Sequence, residues 1–367
     1  LLICAITSLA TGTSWGTTGT IGVALMGVGA VLGLPLPIVA GAVLSGAYFG
    51  DKMSPLSDTT NLAPAMAGGE LYAHIKHMLW TSGVAFALTL AIEIVLSMQF
   101  AATGGDLVRI RTMMETLDAN FLINPVLFLP PIIVMVVSFR RVPAIPGITL
   151  GALAGALCAV GLQGADYEAL IGAAMGGYGS ATGVEDVDSL LSRGGLESML
   201  YTIALIIVAM MFGGVMERTC QLKVIADKVL GWAQSTGSLV ISTVLTCIAA
   251  NIVLCDQYMS IVMGGRTYAQ AYRERGLAPQ NLSRAVEDSG TVTANLVPWN
   301  SGGAFQAATL GVATIAYLPF NFFCWLSPIV TIVFGVMGWT MTPRAKDEAD
   351  ETDDAEPGEP ATPRATA

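Results

Sequence analysis

Five acids, Asp51, Asp58, Asp256, Glu287 and Asp288, stand between long apolar runs in this 367-residue chain. A carboxylate so placed can hold a cation or a proton, never both at once. Burial favours its neutral form, and a bound cation favours the charged one. Unpaired polar groups cost several kcal/mol in hydrocarbon, so such residues persist only within protein or against a wet cavity. Ionisable side chains in that position are functional by default.

The neighbours of these acids are rich in oxygen, which suits a hard cation. The stretch GDKMSPLSDTTNLAP, residues 50–64, sets Ser54, Ser57, Thr59, Thr60 and Asn61 around Asp51 and Asp58, and its two prolines free backbone carbonyls. A second stretch, EDSGTVTANLVPWN at 287–300, carries Asp288, Thr291, Thr293, Asn295 and Asn300. Two shorter interruptions offer Thr13, Ser14, Thr17 and Thr18 in one place and Asp256 with Gln257 in another. The expected cation- and proton-binding set is therefore Asp51, Asp58, Ser54, Ser57, Thr59, Thr60, Asn61, Asp256, Asp288, Thr291 and Asn295. Thr13, Ser14, Thr17, Thr18 and Gln257 are expected at hairpin tips. Four residues are expected to modulate. Lys52 either neutralises Asp51 or meets an anion, and Glu93 stands mid-span where a proton path or snorkelling would place it. His74 and His77 titrate near neutral pH. Asp58, embedded among hydroxyls, is the acid expected to exchange.

The elements that must position these groups are membrane helices. Mean hydropathy is +0.65 and only 12% of residues are charged, and apolar runs approach the roughly 20 residues that cross a bilayer core. The fold class is an all-α polytopic membrane protein. Net charge is −10, but the loop 163–198 and the tail from Arg344 carry −5 each, so the acidity belongs to two solvated segments. The six cysteines sit mostly in apolar runs without CxxC spacing and read as packing residues. Phe121–Phe139 is expected to span with a kink at Pro130-Pro131, and Glu217–Trp232 to lie at the interface.

Two halves share one grammar. A broken apolar run, Thr7–Gly19, precedes the Asp51–Pro64 stretch by about 35 residues, and Thr246–Tyr258 precedes Asp288–Asn300 similarly, a pattern sought by the repeat-first rule. A displacement of 237 aligns Asp51 with Asp288 and Asp58 with Asn295. Placing basic connectors in the cytoplasm gives the halves opposite orientations, with Arg109 and Arg111 as exceptions. Inverted repeats with re-entrant hairpins and discontinuous helices are the signature of secondary transporters that bind near the midplane. The expected divisions are a first-repeat portion (1–100), connecting spans (101–162), an acidic extracytoplasmic loop (163–198), a second inverted repeat (199–342) and a disordered cytoplasmic tail (343–367).

GDKMSPLSDTTNLAPA, preceded by TSLATGTSWGTTGTIGVALMG and PLPIVAGAVLSGAYFG, resembles the NhaC family of sodium/proton antiporters in the ion-transporter superfamily. The resemblance is specific over Ile3–Trp80 and looser to about Met341; the acidic loop and the tail match nothing. It implies Na⁺ efflux driven by H⁺ entry across the bacterial inner membrane, with no cofactor and no metal beyond the transported Na⁺. One branch of the family exchanges organic acids such as malate and lactate instead. Family members extend further at the N-terminus, and this chain begins at Leu1 inside an apolar run, so further helices are expected upstream. Na⁺, H⁺ and lipid are the expected partners, without nucleic acid; a homo-oligomer is allowed and not required. No HExxH, GxSxG or Cys/His pairing supports an enzyme, and a channel would not need paired repeats with acids in both halves.

Overall fold

A computed structural model of the chain describes residues 1–101, 107–140, 142, 144–192, 194–231 and 233–344. Among them the only β structure is one isolated bridge, Leu277–Pro343; the rest is helix and short connections. Of the expected tail, 343–367, Pro343 and Arg344 are held against Leu277 and Gly276, and 345–367 lie outside the described residues.

The first half opens with α1 (Leu2–Thr11), which ends on Gly12 in the left-handed conformation, φ 69°. Thr13 then caps α2 (14–31), its hydroxyl accepting from the Gly16 amide. α3 (Leu36–Met53) starts just after Pro35, with Pro37 in its first turn, where a proline's missing N–H costs nothing. The chain breaks at Ser54–Ser57, because Pro55 disfavours helix at the residue before it. It resumes as α4 (Asp58–Ala67) and then α5 (Leu71–Ala101). α1 lies tight on α3: a Cβ at Gly50 would come 2.2 Å from the Ala5 carbonyl. Between helices in lipid, such close backbone approach replaces the hydrophobic effect as the source of packing energy.

The connecting region holds α6 (Leu107–Asn120), α7 (Leu129–Phe139), α8 (Ala144–Gln163), α9 (Tyr167–Gly176), α10 (Glu185–Leu191), α11 (Leu196–Arg218) and α12 (Gln221–Leu230). The expected span Phe121–Phe139 is helical from Pro125, as a 3₁₀ turn that runs into α7. The chain turns by 97° between Arg111–Asn120 and Pro125–Val134. Pro130 and Pro131 lie in the first turn of α7, a place that tolerates proline, so they start a helix instead of kinking one. α8 and α11 are long and apolar enough to cross a membrane, and their large side chains face outward, with Leu157 74% and Met211 67% exposed.

The second half repeats the first. α13 (Thr236–Leu254) ends on Cys255 at φ 60°, and Asp256 caps α14 (Gln257–Glu274). α15 (279–294) contains a π-helical turn, Glu287–Thr291. After a break at 295–300 come α16 (Ser301–Leu310), α17 (Thr314–Tyr317) and α18 (Phe322–Met337). A single displacement of 243 carries Gly12 to Cys255, Thr13 to Asp256, residues 14–31 to 257–274, Leu36 to Pro279, Asp58–Ala67 to Ser301–Leu310, and Leu71 to Thr314. The expected displacement of 237 is therefore corrected. It was drawn by matching acid to acid, whereas the frame is set by caps and breaks. In the corrected register Asp58 aligns with Ser301, Lys52 with Asn295 and Asp51 with Ala294.

Two large apolar clusters, each drawing on both halves, and a small third at Ala250 and Leu254 form the core among the described residues. One gathers Cys4, Met26, Leu44, Tyr48 and Phe323; the other gathers Leu239, Val244, Ile261, Tyr268 and Leu282 with Ala63 and Ala67 from α4. Each hairpin tip rests on the break of its own half. Gly12 leaves no room for a Cβ beside Leu56 and Ser57, and the Cys255 carbonyl accepts from the Ser301 amide at 2.9 Å. Each tip also reaches the other half. Trp15 stacks on Phe305 at 4.4 Å, and Tyr258, its counterpart, donates to Asp58 at 2.6 Å.

Candidate functional site: unpartnered carboxylate oxygens between two broken helices

Asp51 sits near the C-terminal end of α3, where the last helical carbonyls and the break leave polar groups to be satisfied. Ser14, the first residue past the tip, donates to Asp51 Oδ2 at 2.7 Å, and Ser57 also lies against this carboxylate. Oδ1 is buried with no hydrogen-bond partner among the described residues.

Lys52 points elsewhere. Its ammonium is fully buried and makes an ion pair with Asp288 of α15, while also donating to Ser327 at 3.2 Å. Asp288 accepts further from Thr81 at 2.7 Å and from Thr331. A buried pair holds only when its remaining lone pairs are met, and here hydroxyls from α5 and α18 meet them. The pair ties the first half to the second. Neutralisation of Asp51 by Lys52, one of the two roles expected for this lysine, is replaced by this cross-half bond.

One residue before Asp288, Glu287 is wholly buried and neither carboxylate oxygen has a hydrogen-bond partner among the described residues. The Thr291 and Thr59 hydroxyls lie against its carboxylate without closing a short hydrogen bond, and Lys52 and Asp51 act on it at longer electrostatic range. The Thr291 hydroxyl is also buried and unpartnered. A native protein has few orphaned buried polar atoms, and each calls for a cause. Glu287 and Thr291, one turn apart, and Asp51, within electrostatic reach of Glu287, each keep buried oxygens without a short hydrogen bond; beside a π-helical turn of the kind common at functional sites, they are chemically a place for a cation or for protons. The turn brings Glu287 and Thr291 together. Glu287 was counted among the intramembrane acids by sequence but left out of the binding set, because matching Asp51 to Asp288 drew attention one residue too far. Asn251 and Gln257 also carry unpartnered buried oxygens. The Asn251 amide is fixed by donating to Gly290 O at 2.6 Å and Thr293 Oγ1 at 2.9 Å.

The other expected residues are placed as follows. Asp58 is exposed and its oxygens are taken by Tyr258 and, at 2.8 Å, the Thr59 amide. Ser54 accepts from Leu56 N; Ser57 and Thr59 share a hydrogen bond; Thr60 donates to Lys52 O at 3.0 Å. Asn61 is exposed and bonds back to Ser57 O and Pro55 O. Asp256 caps α14 through Met259 N. Asn295 donates to Val292 O and Cys324 and accepts from Asn321, so it holds its break in shape. Thr17 and Thr18 bond within the tip region. Glu93 is half-buried with Oε1 unpartnered. His74 and His77 are buried between α5 and α15. No group of three or more His, Cys, Asp or Glu residues suited to a resident metal occurs among the described residues.

The family model described as the Na⁺/H⁺ antiporter family matches residues 46–339. The chain is 42% identical over 92% of its length to a Na⁺/H⁺ antiporter NhaC of Alkalihalophilus pseudofirmus, covering 73% of that protein. It is 39% identical to a malate-2H⁺/Na⁺-lactate antiporter of Bacillus subtilis, over 92% of this chain and 72% of that one. It is 36% identical to an arginine/ornithine antiporter of Halobacterium salinarum, over 95% and 72%. No solved structure matches the chain significantly. By the family match and by relatives of this identity and coverage, the chain belongs to the Na⁺/H⁺ antiporter family.

Proposed function

We propose that this protein exchanges Na⁺ for H⁺ across the bacterial inner membrane by alternating access, with Asp51 and Glu287 as the exchanging acids. The observation that carries the reading is that Asp51 Oδ1, both Glu287 oxygens and the Thr291 hydroxyl are buried without a short hydrogen bond, with Thr291 against Glu287 and Asp51 within its electrostatic reach. When Na⁺ occupies the site, both acids are charged and the hydroxyl supplies a neutral ligand. When protons occupy it, both are neutral, and nothing remains to hold the cation. Because the two states exclude each other, passage of one ion returns the site for the other. Asp58, the acid first expected to exchange, is given the smaller role of linking the halves through Tyr258.

Organic-acid exchange, as the name of the malate/lactate relative describes for that protein, would need a cation free to receive a substrate carboxylate. Lys52 is already engaged by Asp288, which argues against it. Everted vesicles loaded with a pH-sensitive dye test the choice. Addition of Na⁺ should dequench the dye and malate should not; a response to malate alone would sink the proposal.

A further inference from the structure

The polar seam between α5 and α15 has no part in holding the cation, yet it is built from groups that a packing interface would avoid. His74 Nδ1 is paired with Ser283 at 2.7 Å. One turn on, His77 lies beside Asn281 and Arg284. Further along the same face, Thr81 reaches Asp288 at 2.7 Å. The seven residues from His74 to Thr81 rise about 10 Å along the helix, so the seam climbs from the Pro279 end of α15 to the ion pair. His74 is fully buried and His77 is 8% exposed, and each keeps a buried, unpartnered Nε2; Arg284, 1% exposed, keeps an unpartnered Nε. The Arg284 fork is otherwise turned away, to Thr340 at 2.6 Å and to Met341.

The geometry points to this seam as the proton route between the cytoplasm and Glu287, with His77 and His74 as relay groups. This rests on the exchange reading above. An imidazole accepts a proton at one nitrogen and releases it from the other, and Ser283 fixes the ring of His74 with Nε2 left open. The charged and titratable groups that act on the pair come from α3, α5 and α15. Lys52 of α3 and His77 face His74, and Arg284 of α15 faces His77. Tyr272 of α14 faces Arg284 in turn. Lys52 then faces Glu287. The relay needs no resting charge on either ring, because a neutral imidazole can accept at one nitrogen while it releases from the other. Na⁺ gains nothing from this path, because two fixed cations, Lys52 and Arg284, act on its ring nitrogens.

The test uses His74→Gln/His77→Gln and each single variant in everted vesicles. Na⁺/H⁺ exchange is read by dye dequenching as a function of pH, and Na⁺/Na⁺ counterflow, which moves no proton, by radiolabel. The double variant should lose roughly 10- to 100-fold in Na⁺/H⁺ exchange, the scale of one positioned acid–base group, and free imidazole should restore part of it. Counterflow and the Na⁺ concentration for half-maximal rate should stay within about twofold of wild type. Unchanged Na⁺/H⁺ exchange and an unchanged pH profile would overturn the relay. Loss of counterflow alongside exchange would also overturn it, since the histidines would then serve the fold. Failure of the wild-type protein itself to move protons against Na⁺ would instead sink the exchange reading, so the two failures are separable.

Discussion

Asp51, Asp58 and Glu287 share a functional group and differ in what surrounds it. Asp58 faces outward with its oxygens engaged; Asp51 and Glu287 are buried with oxygens to spare. Asp51→Asn and Glu287→Gln should each lower Na⁺/H⁺ exchange roughly 100-fold or more, the span of a lost acid–base group. Asp58→Asn should stay within about threefold, because an exposed interaction contributes under about 1 kcal/mol. Dye dequenching across the three variants checks the ranking, and full activity in Glu287→Gln would move the site elsewhere. The Lys52–Asp288 pair makes a separate prediction. Removing Lys52 alone strands a buried charge and should cost about 3–5 kcal/mol, while Lys52→Met with Asp288→Leu should recover most of it. Thermal unfolding in detergent reads both. The acids, hydroxyls and amides were legible from residue type. What burial and partners do to each was not, because only tertiary placement decides which carboxylate is satisfied.

At the scale of elements, the two tips solve one problem with different residues. Gly12 and Cys255 both take the left-handed conformation. A non-glycine residue there bears about 1–3 kcal/mol of strain. Gly12→Ala adds that strain and also drives a Cβ to 2.6 Å from Leu56, so it should destabilise by about 2 kcal/mol or more and lower expression. Cys255→Gly relieves strain and should leave stability within about 1 kcal/mol of wild type, the lost thiol packing offsetting part of the gain. Detergent melting curves separate the two. The breaks were legible in sequence from Pro55, Pro298 and the Gly/Thr tip. The 97° turn before α7 was not, because Pro130-Pro131 reads as a kink when the start of the helix is unknown. In the acidic loop, the Thr182 amide and hydroxyl, with Ser180 and Gly183, hold the Asp188 carboxyl down at about 2. A depressed folded value means the turn keeps its order above the ordinary carboxylate range and loses it only as pH falls through about 2.

For the whole molecule, a symmetric frame carries an asymmetric charge set. The displacement of 243 preserves caps, breaks and helix starts, yet the first copy holds Asp51-Lys52 where the second holds Ala294-Asn295, and Glu287-Asp288 align with Leu44-Ser45. The repeat was legible as a grammar of runs and breaks, but its register was not, because the eye aligns charges and the fold aligns caps. Symmetric contacts suit alternation: Trp15 on Phe305 and Tyr258 on Asp58 are equivalent bridges, and opening toward one side need release only one of them. Tyr258→Phe removes the hydroxyl that reaches Asp58, so it should favour the state in which that bridge is parted. Gln257, next to it at the tip and 4% exposed, should then become more accessible. In a background lacking Cys220 and Cys255, maleimide labelling of Gln257→Cys should rise about two- to fivefold with Tyr258→Phe, the population shift expected from a bond contributing about 0.5–1 kcal/mol. The converse change at the other bridge, Trp15→Ala, should leave that labelling flat or lower it. Equal increases from both substitutions would mean that the tips loosen together, and would remove the case for two independently opening gates.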